Sequence, residues 1–154
     1  SFPTRRSSDL HKQRLLDSPE FISQAIEELI RYHGFHHITR DVARDAEFAG
    51  IHLKRGDRVM LPTGGGNHDS RMYPAADTVD FERKASGALT FGAGPHRCIG
   101  SPLASVQVRV AVEELLKALP DFHLDPGGGV RYVCMTNKAI PVHVPIVYAP
   151  NDFR

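Results

Sequence analysis

Apolar residues recur with helical spacing in two stretches of the chain. Between Ser18 and Gly34, the residues Phe21, Ile22, Ala25, Ile26, Leu29 and Ile30 fall three or four apart and predict one apolar helix face. Ser18 suits the N-cap, Pro19 the first turn and Gly34 the stop. A second helix is predicted over 101–119, with Leu103, Val106, Val110, Leu115 and Leu119 among its apolar positions and Pro120-Asp121 ending it. Between the two, residues 36–62 alternate and carry turn signals at Ala49-Gly50 and Arg55-Gly56-Asp57, which predicts short strands in a small sheet. Residues 63–90 are rich in Gly, Asp and Pro. The triplet Gly64-Gly65-Gly66 within them is not a phosphate loop, because no G-K-[ST] follows it. Residues 121–148 read as strands broken at Pro126-Gly127-Gly128-Gly129 and Thr136-Asn137. The sequence contains no internal repeat.

Composition narrows the class without naming it. The chain has 154 residues, 41% hydrophobic and 24% charged, enough for one modest core. A net charge of +1 gives no whole-chain signal for nucleic acid or a membrane surface. No apolar run reaches the roughly 18 residues of a spanning helix. Two cysteines, Cys98 and Cys134, make no disulfide framework and point to a reducing compartment. Among the nine histidines, His33, His36 and His37 would share a face if the first helix ran through them. Gly34 argues against that continuation, and no carboxylate has matching spacing. The segment Ser1–Leu10 is basic, polar and aperiodic, and it resembles the translation of a sequencing-adapter oligonucleotide joined in frame. It is set aside as a fusion scar.

Chemistry concentrates in Phe91-Gly92-Ala93-Gly94-Pro95-His96-Arg97-Cys98-Ile99-Gly100. Gly92, Gly94 and Gly100 permit positive φ and close approach of the backbone to a flat ligand, and Pro95 stiffens the turn. Pro102 fits only the first turn of the following helix, so Cys98 lies just ahead of a helix N-terminus. The dipole and free amides there, with His96 and Arg97, favour a thiolate. A buried structural cysteine in a glycine turn is the plainer alternative. A zinc site is disfavoured, because the chain has no C-x-x-C pair.

This decapeptide, F-x-x-G-x-H-x-C-x-G, resembles the haem-ligating loop of the cytochrome P-450 monooxygenases, with Phe91, Gly94, His96, Cys98 and Gly100 at the fixed positions. The resemblance extends upstream. Glu28-x-x-Arg31 places a carboxylate and a guanidinium on one helix face, at a spacing from Cys98 that fits the family, and Val79-Asp80-Phe81-Glu82-Arg83 matches the segment that supplies a second arginine. The resemblance implies that Glu28, Arg31 and Arg83 form a structural network fixing the cysteine loop, and that Arg40 and His96 hold haem propionates. Cys98 would be the axial iron ligand, and Phe91, Gly92, Gly94 and Gly100 would shape the loop against the haem.

The fold implied is mainly α with small β-sheets (α+β), the C-terminal part of the cytochrome P-450 fold, with residues 11–154 as its haem-binding portion. The resemblance further implies haem b (iron protoporphyrin IX), a small apolar substrate, a ferredoxin-type or other electron donor, no nucleic acid, no membrane segment in this piece and a cytoplasmic location. Segments 34–38 and Cys134–Lys138 match stretches that border the family's substrate pocket, although for Cys134 an ordinary strand residue is the favoured reading. Lys84, Arg97 and Arg109 form either a basic surface for an acidic donor or ordinary solvated charges. The acid–alcohol pair that relays protons in the family precedes Glu28-x-x-Arg31 by several tens of residues and is absent from this chain. The expectation is therefore a piece inactive by itself. Two rival readings keep less of the chemistry: a haem-thiolate peroxygenase or isomerase, and a non-catalytic haem-binding remnant.

Overall fold

A computed structural model describes residues 7–34, 36–135 and 138–149. Helix α1 (Ser7–Asp17) comes first. A single 3-10 turn, Pro19–Phe21, leads into helix α2 (Ile22–His33). Strands β1 (His37–Asp41), β2 (Ala46–Phe48), β3 (Ile51–Leu53) and β4 (Arg58–Pro62) follow, then the short helix α3 (Thr63–Asn67). An irregular meander carries the chain through two 3-10 turns, Leu89–Phe91 and Gly94–His96, into helix α4 (Ser101–Ala118). Strands β5 (His123–Leu124), β6 (Arg131–Met135), β7 (Lys138–His143) and β8 (Ile146–Val147) close the described chain.

The core forms where α1, α2, α4 and the meander meet. Leu15, Ile22, Ala25, Ile26, Phe81 and Leu116 are buried together, with Leu29, Ile30, Val79 and Phe122 packed around them. Burying a side chain the size of Ile26 stabilises the fold by about 1.5–3 kcal/mol. The apolar stripe read in α2 is the one that enters this core, and Glu28 and Arg31 are buried on the same helix.

Several expectations need correction. The α2 region opens with a 3-10 turn, and Ser18 makes no side-chain cap; its carbonyl accepts from the Phe21 amide at 3.0 Å instead. The strands of 36–62 form two separate two-stranded ladders. β1 pairs antiparallel with β4, Ile38 opposite Leu61 and Arg40 opposite Val59, and β2 pairs with β3 across the Ala49-Gly50 turn. The later strands likewise pair as β5 with β8 and β6 with β7. Helix α1 has no apolar period to announce it and begins inside the segment set aside as a scar. Tertiary contacts hold it: Lys12 Nζ donates to the Phe122 carbonyl at 2.5 Å, Arg14 pairs with Glu82, and the His11 and Phe81 rings lie 4.7 Å apart. In α4 only Ser101 and Leu116 are buried, and Leu103, Val106, Val110 and Leu115 are exposed. The pattern that marked a helix there does not face a core among the described residues.

Gly34 stops α2 for a reason other than conformational freedom. Its φ is −78°, open to any residue. A Cβ built there would stand 2.5 Å from the Ile30 carbonyl oxygen and closer still to Thr90 Oγ1. The glycine is required by how tightly the segment before Cys98 packs on the end of α2.

Candidate functional site

Glu28 and Arg31 are both fully buried and face each other one helical turn apart. Arg31 Nε donates to Glu28 Oε2 at 2.7 Å and Nη2 to Oε1 at 2.8 Å, a two-pronged pair. Arg83 reaches the same carboxylate from the meander, Nε to Oε1 at 3.1 Å, and the Asp80 amide adds a fourth donor at 3.0 Å. Burial alone would raise the Glu28 pKa, but Arg31, the Asp80 amide and Arg83 prevail and hold it below the usual glutamate value. Hydrogen bonding to Glu28 in turn raises the Arg31 pKa against the effect of burial.

Two guanidinium groups outnumber one carboxylate, and backbone carbonyls take the remaining donors. Arg31 donates to Asn67 at 2.6 Å, Ala76 at 3.1 Å and Thr78 at 3.3 Å. Arg83 donates to Pro74 at 2.6 Å and Ala75 at 3.2 Å. Ala75 has φ +53°, a left-handed conformation unfavourable for a residue with a Cβ, and its carbonyl also accepts from the Thr78 amide and hydroxyl. The network thus pins the irregular meander, strained residue included, to α2.

From there the chain reaches the cysteine. Cys98 lies three residues before α4; its amide donates to the Phe91 carbonyl at 2.8 Å, and its carbonyl accepts from the Ser101 amide at 3.2 Å. Both strands of the loop are therefore tied at its neck. Gly92 and Gly94 have φ +72° and +69°, as the loop reading requires. Gly100 departs from that reading: its φ is −82°, and it serves as the N-cap residue of α4. Pro102 falls in the first turn. Cys98 is exposed among the described residues.

The exposed thiol borders a hollow of about 390 Å³ shared with Ile38, His36, Thr90, Phe91 and Gly92. Side chains two apart on a strand share a face, so Arg40 stands on the same face of β1 as Ile38. Its Nη1 donates to the Thr39 carbonyl at 2.8 Å. His96 is exposed on the second 3-10 turn and does not line the hollow. Gly92, Gly94 and Arg97 border a second hollow of about 500 Å³. Lys84 is exposed, and Arg109 pairs with Glu113 on its own helix at 3.1 Å. The helix ends between His33 and His36, so these histidines do not share a helix face. Phe35 and the apex of Cys134–Lys138 lie outside the described residues.

These residues fit a haem held through sulfur. The thiol is open to a largely apolar hollow, the loop beside it presents backbone rather than bulk, and a cation stands on the strand face that lines the cavity. A family model for cytochrome P450 matches residues 6–139. The chain belongs to the cytochrome P450 family. It is 36% identical over 141 residues to mycinamicin IV hydroxylase/epoxidase of Micromonospora griseorubida, covering 89% of this chain and 36% of that protein. Cytochrome P450 130 of Mycobacterium tuberculosis is 37% identical over 126 residues, 80% of this chain and 31% of that one. The solved structure of cytochrome P450 CREJ superposes with a TM-score of 0.87 at 28% identity, over 94% of this chain and 36% of that one. The α+β character of this P450 chain agrees with that likeness. The chain spans about a third of the length of the curated relatives it matches.

Sequence reasoning missed Asn67 and Thr90. Asn67 is fully buried and follows three glycines in a stretch for which the resemblance implies a short helical turn and then a meander. No signal short of the pairing itself marks a buried amide there.

Proposed function

We propose that this chain is the haem-holding C-terminal portion of a monooxygenase that inserts one oxygen atom of dioxygen into a small apolar substrate. The observation that carries the reading is the exposed Cys98 thiol at the mouth of an apolar hollow, on a loop tied at the neck by the Cys98 amide and the Phe91 carbonyl. Haem b bound through Cys98 supplies a reducible iron at which dioxygen is activated, and a thiolate ligand donates electron density that favours cleavage of the O–O bond. The chain's own residues hold and orient. Cys98 anchors the iron, and Arg40 and His96 supply charged hydrogen bonds to the propionates, whose burial would otherwise be costly. Ile38 and Phe91 exclude water from the face beside the thiol. Glu28, Arg31 and Arg83 keep the meander and loop in place.

The test is the absorption spectrum of the reduced, carbon monoxide-bound protein expressed from the complete reading frame that contains this sequence. A red-shifted thiolate-type Soret band is expected, and Cys98→Ser should abolish it; a full-length protein without that band would sink the reading. The 154-residue chain alone is expected to oxidise no substrate, because its relatives are about three times as long and an enclosed site needs walls on both faces of the haem; turnover by the isolated chain counts against this. A cytoplasmic location and an acidic electron donor belong to the same proposal. Among the described residues no helix is long and apolar enough to cross a membrane. Lys84, before the loop, and Arg97, within it, are exposed cations. Reversing both charges should slow reduction of the iron and flatten its salt dependence; an unchanged rate and slope would exclude docking there.

A further inference from the structure

The end of α2 leaves carbonyls without partners in the helix, and their partners come from two distant segments. Asn67 Nδ2 donates to the Arg31 carbonyl at 3.2 Å, Thr90 Oγ1 to the Ile30 carbonyl at 2.8 Å, and His68 Nε2 lies 3.0 Å from the Tyr32 carbonyl oxygen. Asn67 then links the two segments to each other. Its Nδ2 also donates to Thr90 Oγ1 at 2.8 Å, and its Oδ1 accepts the Leu89 amide at 2.6 Å. The Asn67 side chain has no exposed surface, and both its donor and its acceptor atoms are engaged. Thr90 is next to Phe91, whose carbonyl holds the Cys98 amide.

We propose that Asn67, acting with Thr90, is a positioning residue for the Cys98 thiolate: it clamps the first strand of the cysteine loop to the C-terminal end of α2. The thiol's place would then depend on two anchors. The Glu28–Arg31–Arg83 network fixes the meander, and the Asn67–Thr90 clamp fixes the loop itself. The two anchors meet at Arg31, whose guanidinium donates to the Asn67 carbonyl while its own carbonyl accepts from the Asn67 amide. The functional half of this inference rests on the haem-thiolate reading; the clamp itself does not.

The experiment uses the protein expressed from the complete reading frame, with and without haem. Asn67→Ala removes the three side-chain bonds that Asn67 makes and leaves the Thr90 hydroxyl on the Ile30 carbonyl. Thr90→Val keeps the shape and removes only the hydroxyl, and Thr90→Ser restores it. Amide hydrogen exchange at Leu89 and Cys98 should accelerate about tenfold in Asn67→Ala and less in Thr90→Val, while amides within α4 change less than about twofold. In the haem-loaded protein the same two variants should lose part of the red-shifted carbon monoxide band to an unshifted one, and Thr90→Ser should keep it. If Asn67→Ala does not fold, Thr90→Val decides. Unchanged exchange at Leu89 and Cys98, or acceleration spread evenly over α1, α2 and α4, overturns the clamp. Faster local exchange with an intact red-shifted band overturns its positioning role. Should the parent protein lack the band altogether, the haem reading fails, and the exchange result still decides the clamp.

Discussion

Glu28 is ionised in a place where burial alone would oppose it. Its pKa in the fold is lowered from about 4.5 by Arg31, the Asp80 amide and Arg83, after burial has pushed the other way. An acid with a lowered folded pKa binds fewer protons folded than unfolded. Its stabilisation is fully present above the ordinary glutamate value, and it is lost as pH falls through the lower folded value. Glu28→Gln keeps the shape and removes the charge, leaving two guanidinium groups without their carboxylate. It should destabilise by about 3–5 kcal/mol and should flatten the acid limb below pH 4.5 relative to the parent. Denaturant titrations at a series of pH values read both effects; parallel pH profiles for the two proteins would show that Glu28 does not supply the dependence. Residues of this kind differ in how legible they are. Cys98 was readable because its neighbours are glycines and a proline with local geometric meaning. Arg83 was readable only through resemblance, since nothing local distinguishes it from the other arginines. Asn67 was not readable, because its partners are the carbonyl of Arg31 and the segment at Leu89–Thr90, both far away in sequence.

At the scale of elements, α2 was legible because its apolar period, its proline and its glycine agree. The reason for the glycine was not, since it lies in a contact with Thr90 and not in a backbone angle. That contact makes a prediction about how α2 meets the cysteine loop. Gly34→Ala should destabilise by about 1–3 kcal/mol through overpacking, because a new Cβ meets Thr90 and the Ile30 carbonyl at once. The Thr90 side chain can be shortened and the carbonyl cannot. Gly34→Ala combined with Thr90→Ala should therefore recover part, not all, of what the two single changes cost when summed. A double-mutant cycle by denaturant unfolding measures it. Strict additivity would mean that α2 and the loop do not press on each other at this point. Helix α1 is the opposite case: few apolar residues, no apolar period, and a place in the fold set by contacts with Phe81, Glu82 and Phe122 that no local window contains.

For the whole molecule, the informative surface is the apolar face of α4. Leu103, Val106 and Val110 sit three or four apart on a helix that follows the cysteine loop directly, and Leu103 is 62% exposed. Three aligned aliphatic side chains in water form a patch of the kind that covers a partner or a missing part of a fold. The curated relatives are about three times as long as this chain, and additional chain of that length would be able to cover such a face. The consequence is a different readout in two settings. Changing Leu103, Val106 and Val110 together to Gln should reduce self-association of the isolated 154-residue chain, because the face is then wet. In the protein from the complete reading frame the same change should lower thermal stability and haem retention, because polar groups are then buried without partners. Sedimentation of the chain and haem transfer from the full-length protein to apomyoglobin measure the two arms. Unchanged stability and haem retention in the longer protein would mean that α4 presents this face to solvent there and that this portion folds without cover from the rest.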